Sequence, residues 1–111
     1  MTEFTTQPLP PELQQALEVL EYRQMTPVQA ASLPPILAGR DVIAQARTGS
    51  GKTAAFGLGL LSKLQPDAGQ VQALVMCPTR ELADQVAKEI RRLARFMPNI
   101  KVSVFCGGVP L

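Results

Sequence analysis

The chain has 111 residues, enough for one small domain and too few for two. Apolar residues make up 46% and charged residues 18%, which argues against wholesale disorder, and a net charge of +2 does not by itself call for a nucleic-acid partner. There is no histidine, so zinc sites and Ser-His or Cys-His nucleophile pairs are not expected, and no apolar stretch reaches the roughly 18 residues of a membrane span.

In chain order, the first predicted helix covers residues 12–20, with Leu13, Ala16, Leu17 and Leu20 on one face after Pro10 and Pro11. A second short helix is expected from Thr26 as N-cap, with Pro27 at its first position. Pro34 and Pro35 should interrupt it, leaving one further turn over 36–38 closed by Gly39. Residues 41–46 (DVIAQA) read as a short buried strand, followed by a Gly- and Ser-containing loop and a helix over about 52–63. Residues 66–69 form a predicted turn. Residues 71–77 (VQALVMC) are almost continuously apolar, the pattern of a parallel strand covered on both faces. Residues 79–96 make a long amphipathic helix, with Leu82, Val86, Ile90, Leu93 and Phe96 turned inward. Residues 101–106 (KVSVFC) complete a third strand, and Gly107-Gly108 follows.

Strand and helix alternating at this spacing predict an α/β fold with a parallel sheet and right-handed crossovers. Three strands make a thin sheet with unprotected edges, so the fold is expected to be incomplete and to continue past Leu111. Cys77 and Cys106 each close an apolar run and read as reduced, buried thiols. With a polar, unsignalled N-terminus, they place the expected location in the cytoplasm. From residue 80 to residue 101 there are six basic side chains (Arg80, Lys88, Arg91, Arg92, Arg95, Lys101) against three acids, a pattern open both to a solvated face and to a nucleic-acid surface.

The chemistry concentrates at Ala46-Arg47-Thr48-Gly49-Ser50-Gly51-Lys52-Thr53. This matches the phosphate-loop pattern G-x-x-x-x-G-K-[ST] except that Ala46 stands in place of the first glycine. Gly49 and Gly51 allow turns that a Cβ would obstruct, so successive N–H groups face one concave site at the positive end of the following helix. Lys52 would reach the terminal phosphates and Thr53 would offer its hydroxyl to Mg²⁺. The alternative is a Gly-Ser hairpin with a chance lysine.

Around this loop the chain resembles the DEAD-box RNA helicases. Glu21-Tyr22-Arg23-Gln24-Met25-Thr26-Pro27-Val28-Gln29 is similar to that family's Q motif, with Phe4 matching its upstream aromatic and Glu21 standing where glycine is usual. Ala46 matches the family's form of the loop, A-x-T-G-S-G-K-T. Pro78-Thr79-Arg80-Glu81-Leu82-Ala83 resembles motif Ia, and Gly107-Gly108 resembles the later GG element. Residues 53–61 and 80–87 look most like the bacterial DbpA type, which serves ribosome assembly.

The resemblance implies a RecA-like, three-layer P-loop NTPase fold. It divides the chain into a Q-motif helical region, 1–39, and the opening part of the ATP-binding domain, 40–111. The implied ligands are ATP and Mg²⁺. Gln29 would read the adenine edge, as an amide can, with Phe4 and Tyr22 closing the base pocket. Arg47, Thr48, Gly49, Ser50, Gly51, Lys52 and Thr53 would hold the phosphates, with Lys52 and Thr53 catalytic and Thr53 on the metal. RNA, ribosomal in this branch, would lie with its sugar-phosphate backbone on Pro78, Thr79, Arg80, Gly107 and Gly108. No membrane partner is implied.

From the residues alone, pairing of Arg80 with Glu81 or Asp84 is the preferred reading, and Gly107-Gly108 could be an ordinary turn. No Asp-Glu-Ala-Asp or Ser-Ala-Thr occurs in the 111 residues. The expectation is therefore an ATP-dependent RNA helicase as the whole protein, with this segment binding nucleotide but not turning it over. Two alternatives remain: another P-loop protein such as a small-molecule kinase or transport ATPase, and a non-catalytic RNA-binding fragment.

Overall fold

The structure is a computed structural model and describes residues 2–65 and 68–105. A short 3-10 turn at Phe4–Thr6 precedes four helices: α1 (Pro11–Val19), α2 (Pro27–Leu37), α3 (Lys52–Ser62) and α4 (Arg80–Leu93). Helix α3 lies between α2 and α4, and α1 packs on α4 and on the N-terminal turn. One apolar core joins them, with Leu13, Leu17, Leu33, Leu58, Leu61 and Leu93 all essentially out of solvent.

Glycines on opposite sides of α3 set its separations from both neighbours. A Cβ on Gly57 would sit 3.2 Å from the Leu93 methyl of α4, and one on Gly59 would overlap the Ile36 methyl of α2. Close helix contact here depends on the missing side chains.

Helix α1 ends in a Schellman motif, with Glu21 N–H on the Glu18 carbonyl (3.1 Å) and Tyr22 N–H on the Leu17 carbonyl (2.9 Å). The residue at its left-handed corner is Glu21, at φ 62°. Glycine is usual there because a side chain in that region costs about 1–2 kcal/mol. Helix α2 ends the same way, with Gly39 at φ +85° and Arg40 N–H on the Pro35 carbonyl at 3.0 Å.

Two sequence expectations are corrected, and a third is not seen among the described residues. Pro34 and Pro35 lie inside a continuous α2 rather than breaking it. Each proline removes one N–H donor, but buried Leu33 and the Ile36 contact with α3 hold the helix against that loss. Helix α4 ends at Leu93 instead of Phe96, with Leu82 39% exposed and Phe96 only half-buried. A turn with Met97 N–H on the Ala94 carbonyl (2.8 Å) closes it, and the following Pro98 disfavours a helical Met97.

The third expectation is the parallel sheet. Among the described residues there is no strand, only an isolated antiparallel bridge between Glu3 and Gln24. Segments 41–46, 71–77 and 101–105 make no backbone ladder with one another. Ile43 (98%), Val71 (90%), Met76 (86%) and Phe105 (73%) stand in solvent. Apolar composition supplies strand propensity, but a strand exists only where a neighbour accepts its hydrogen bonds. Near 71–77 the pairing is side chain to backbone: the Gln72 amide bonds both Gln65 N–H and Gln65 C=O at 2.8 Å. Cys77 is a free thiol and only half-buried, because its segment has no second covering layer. Cys106, Gly107 and Gly108 lie outside the described residues, as do Pro66 and Asp67 of the expected turn.

Candidate functional site

The loop between residues 46 and 53 has the geometry its glycines require. Gly49 (φ +85°) and Gly51 (φ +87°) are both left-handed, and Ser50 N–H turns back onto the Arg47 carbonyl at 3.1 Å. Gly51 is the N-cap of α3. The first N–H of that helix to find an intrahelical acceptor is Ala55, on the Gly51 carbonyl at 3.3 Å. The amides of Lys52, Thr53 and Ala54 therefore point along the axis into the loop, at the positive end of the helix dipole.

Ser50 Oγ is buried and is the one such side-chain polar atom without a hydrogen-bond partner among the described residues. A buried hydroxyl left unpaired costs about 1–3 kcal/mol. Lys52 Nζ donates to the Ala46 carbonyl at 2.6 Å, holding its charge over the loop from the opposite rim. Free amides, an orphan hydroxyl and one lysine around a concave turn fit a polyphosphate.

The loop is braced from α2. Thr26 and Gln29 form a capping box: the Gln29 N–H reaches Thr26 Oγ1 (3.4 Å), and the Thr26 N–H reaches Gln29 Oε1 (2.8 Å). Each side chain also grips the phosphate loop. Thr26 Oγ1 donates to the Ser50 carbonyl at 2.7 Å, and Gln29 Nε2 donates to the Gly51 carbonyl at 3.0 Å. A Cβ on Gly51 would collide with the Gln29 amide. The glycine thus serves both the backbone turn and the close approach of α2.

Gln29 is only 5% exposed, and one N–H and one lone pair of its amide remain beyond these bonds. Sequence reading assigned Thr26 only a capping role and missed its bond to Ser50. The T-x-x-Q spacing was the available signal, since it is a capping-box pattern.

Of the aromatics expected around the base, Phe4 packs into the core at 2% exposure and also lines the groove that runs past the loop. Its amide bonds the Arg23 carbonyl (2.9 Å), which ties the chain start to the Q-motif segment. Tyr22 is half-buried and donates its hydroxyl to Glu89 Oε1 of α4 at 3.1 Å. Burial raises the phenol's pKa from its ordinary 10.0, the charge of Glu89 and its hydrogen bond raise it further, and Arg92 acts the other way. Arg92 in turn pairs with Glu89 at 3.3 Å.

A groove of about 1620 Å³ runs past the loop, bounded by Tyr22, Gln29, Lys52, Thr53, Gln85 and Glu89. Thr48 and Gly49 are exposed at its rim, and Arg47 is exposed in the loop. Thr53, half-buried in the first turn of α3, is the loop's own candidate for contact with a cation. Pro78, Thr79 and Arg80 are exposed at the start of α4, where Thr79 Oγ1 accepts the Leu82 N–H at 3.1 Å. They lie apart from the loop residues in the chain, on an element that borders the same groove through Gln85 and Glu89.

A glycine-turned loop feeding a helix N-terminus that begins with lysine defines the P-loop class of nucleotide-binding proteins. Comparison with known proteins narrows this. The chain belongs to the DEAD/DEAH box helicase family, whose model matches residues 26–111. It is 64% identical over 111 residues to the ATP-dependent RNA helicase DbpA of Escherichia coli, covering 99% of this chain and 24% of that protein. This accords with the resemblance read from residues 53–61 and 80–87.

Among solved structures, a DEAD box protein from the hyperthermophile Methanococcus jannaschii superposes with a TM-score of 0.91 at 34% identity, over 99% of this chain and 30% of that one. Saccharomyces cerevisiae Dbp5, solved with RNA and ADP BeF3, superposes at 0.83 and 32% identity, over 87% of this chain and 25% of that one. The neighbours are RecA-like helicase domains, and the chain spans about a quarter of the length of the relatives it matches.

Proposed function

We propose that the chain supplies the ATP-binding segment, and the first RNA-contacting segment, of an ATP-dependent RNA helicase. The whole protein is an ATP hydrolase that opens RNA duplexes in the cytoplasm during ribosome assembly, with ribosomal RNA as its target. The loop between Ala46 and Thr53 carries this reading, because it combines left-handed Gly49 and Gly51, an unpartnered Ser50 hydroxyl and Lys52 at its mouth.

Lys52 exchanges its bond to the Ala46 carbonyl for a terminal phosphate oxygen. The amides of the first turn of α3 and Ser50 Oγ take the remaining oxygens, and Thr53 takes Mg²⁺. Gln29 faces adenine with the donor and acceptor it has left, and Tyr22 borders the base. When bound, Mg·ATP supplies the phosphoanhydride whose hydrolysis powers strand separation. Pro78, Thr79 and Arg80, with Gly107 and Gly108, hold the RNA backbone. Such contacts position a strand without reading its sequence. Similarity to DbpA and to the RNA-bound yeast relative supports both halves of this assignment.

The apolar segments 41–46, 71–77 and 101–106 are the strands of a parallel sheet in the assembled domain. The exposure of Ile43, Val71 and Met76 supports this, since these side chains need a covering layer. Residues 1–39 act as the Q-motif region and 40–111 as the opening of the RecA-like domain.

Calorimetry with ATP·Mg²⁺ tests the reading. A charge-assisted hydrogen bond contributes about 1.5–3 kcal/mol, so Lys52→Ala lowers affinity at least about tenfold while circular dichroism is unchanged. Equal affinity in the two proteins overturns the proposal.

A further inference from the structure

Helix α4 presents three sides. Val86, Ala87, Ile90 and Leu93 face the core, and Gln85 and Glu89 border the groove beside the phosphate loop. The third side is solvent, and the helical period places Arg80, Asp84, Lys88 and Arg91 on it, spaced four, four and three residues apart. Arg95, exposed in the turn just past Leu93, continues the stripe.

Arg91 donates to the Val102 carbonyl at 2.7 Å, which draws segment 100–105 against α4 and sets exposed Lys101 beside the same stripe. Among the described residues, Lys88, Arg91, Arg95 and Lys101 have no ion-pair partner, because Glu89 is occupied by Arg92 and Tyr22. Between residues 84 and 101 five basic side chains meet two acidic ones, a balance of +3 against +2 for the whole chain. The entire positive excess of the protein lies on this stretch.

We propose that this stripe is a second nucleic-acid surface, which takes the phosphate backbone of an RNA strand already held at the start of α4. It carries that strand from Arg80 past Lys88 and Arg91 to Arg95 and Lys101. The inference rests on the RNA reading above and extends it along the helix. At 1.5 Å per residue the stripe from Arg80 to Arg95 is about 22 Å long, room for several nucleotides. The occupant is read from charge complementarity: four exposed cations in a row (Lys88, Arg91, Arg95 and Lys101) without an ion-pair partner among the described residues suit a polyanion. Asp84 and exposed Glu81 are the opposing charges at the Arg80 end of the stripe, and they separate that end from the rest.

The test is the salt dependence of binding by the 111-residue chain to a 30-nucleotide single-stranded polyuridylate, followed by fluorescence anisotropy between 50 and 200 mM salt. The triple variant Lys88→Gln/Arg95→Gln/Lys101→Gln spares Arg91, whose bond to Val102 is structural. For single strands the slope of log K against log salt is about −0.7 per neutralised phosphate, so three lost contacts reduce it by about 2. The loss of affinity across that fourfold salt range then shrinks by roughly twentyfold. Asp84→Asn, which lifts the stripe's opposing charge nearest Lys88, tightens binding at 50 mM.

An unchanged slope in the triple variant overturns the proposal, and so does an Asp84→Asn variant that binds no more tightly. Failure of the underlying helicase reading looks different: Lys52→Ala then leaves ATP affinity intact whatever the slopes show.

Discussion

The bond from Gln29 Nε2 to the Gly51 carbonyl separates two roles that one glutamine can play. A reader of adenine matters only to ligands that contain adenine. A brace of the phosphate loop matters to any polyphosphate. Gln29→Glu is nearly isosteric and keeps an oxygen for the Thr26 N–H at 2.8 Å. In place of the donor it sets a carboxylate oxygen about 3.0 Å from the Gly51 carbonyl, two acceptors without a proton between them.

The lost hydrogen bond costs about 1 kcal/mol, and a charge only 5% exposed with one donor left adds about 1–3 kcal/mol. Together these amount to about 2–4 kcal/mol. Gly51 caps α3, so the strain falls on the turn that aims the amides of Lys52, Thr53 and Ala54. Calorimetry with two ligands, Mg·ATP and Mg·tripolyphosphate, reads the outcome. Tripolyphosphate affinity drops at least tenfold, the equivalent of about 1.4 kcal/mol, and ATP affinity drops further by whatever base reading contributes. If tripolyphosphate binds the variant as well as it binds the wild type, the brace adds nothing to the site and the reasoning fails.

Two further outcomes follow from the same segment. Glu21→Gly relieves a left-handed side chain at φ 62° and stabilises the fold by about 1 kcal/mol. In a thermal melt this appears as a rise of about 4–8 °C, and a fall in Tm contradicts the Schellman assignment. The Tyr22 hydroxyl donates to Glu89 and its pKa is raised on folding, so its contribution is fully present below pH 10.0 and is lost as pH climbs through the higher folded value. Urea midpoints of wild type and Tyr22→Phe should differ at pH 8 and converge above pH 10, and a constant difference would rule the bond out.

Much of this site was legible because its signals are local. The left-handed turns at Gly49 and Gly51 follow from glycine, the start of α2 from Thr26-Pro27, and the inner face of α4 from Val86, Ile90 and Leu93. The expectations that this structure does not bear out share a different origin. Whether residues 71–77 form a strand depends on a partner that their own apolar pattern does not contain. Proline rules predict a break at Pro34-Pro35, yet packing of Leu33 and Ile36 outweighs them. The aromatic at Phe4 suits a base or a core equally well, and it sits in the core at 2% exposure while lining the groove. Glu21 departs from the usual glycine at a point where the backbone shows the reason glycine is usual.

Residues 21–29 are anchored at both ends to the two elements that carry the candidate ligand contacts. Tyr22 fastens one end to α4 through Glu89, and Thr26 with Gln29 fastens the other to the Ser50 and Gly51 carbonyls. Helix α4 begins with Thr79 and Arg80, the RNA candidates, while the loop begins α3 with Lys52, the phosphate candidate. A nucleotide that shifts Gly51 must therefore strain or move the same segment that holds Glu89. Gly57 presses α3 against Leu93 of α4 as well, which makes the segment and the helix contact two parallel links between the same pair of elements. Two links resist rotation where one would act as a pivot, so the expected response of α4 to ligand is a concerted shift rather than a swing about one end.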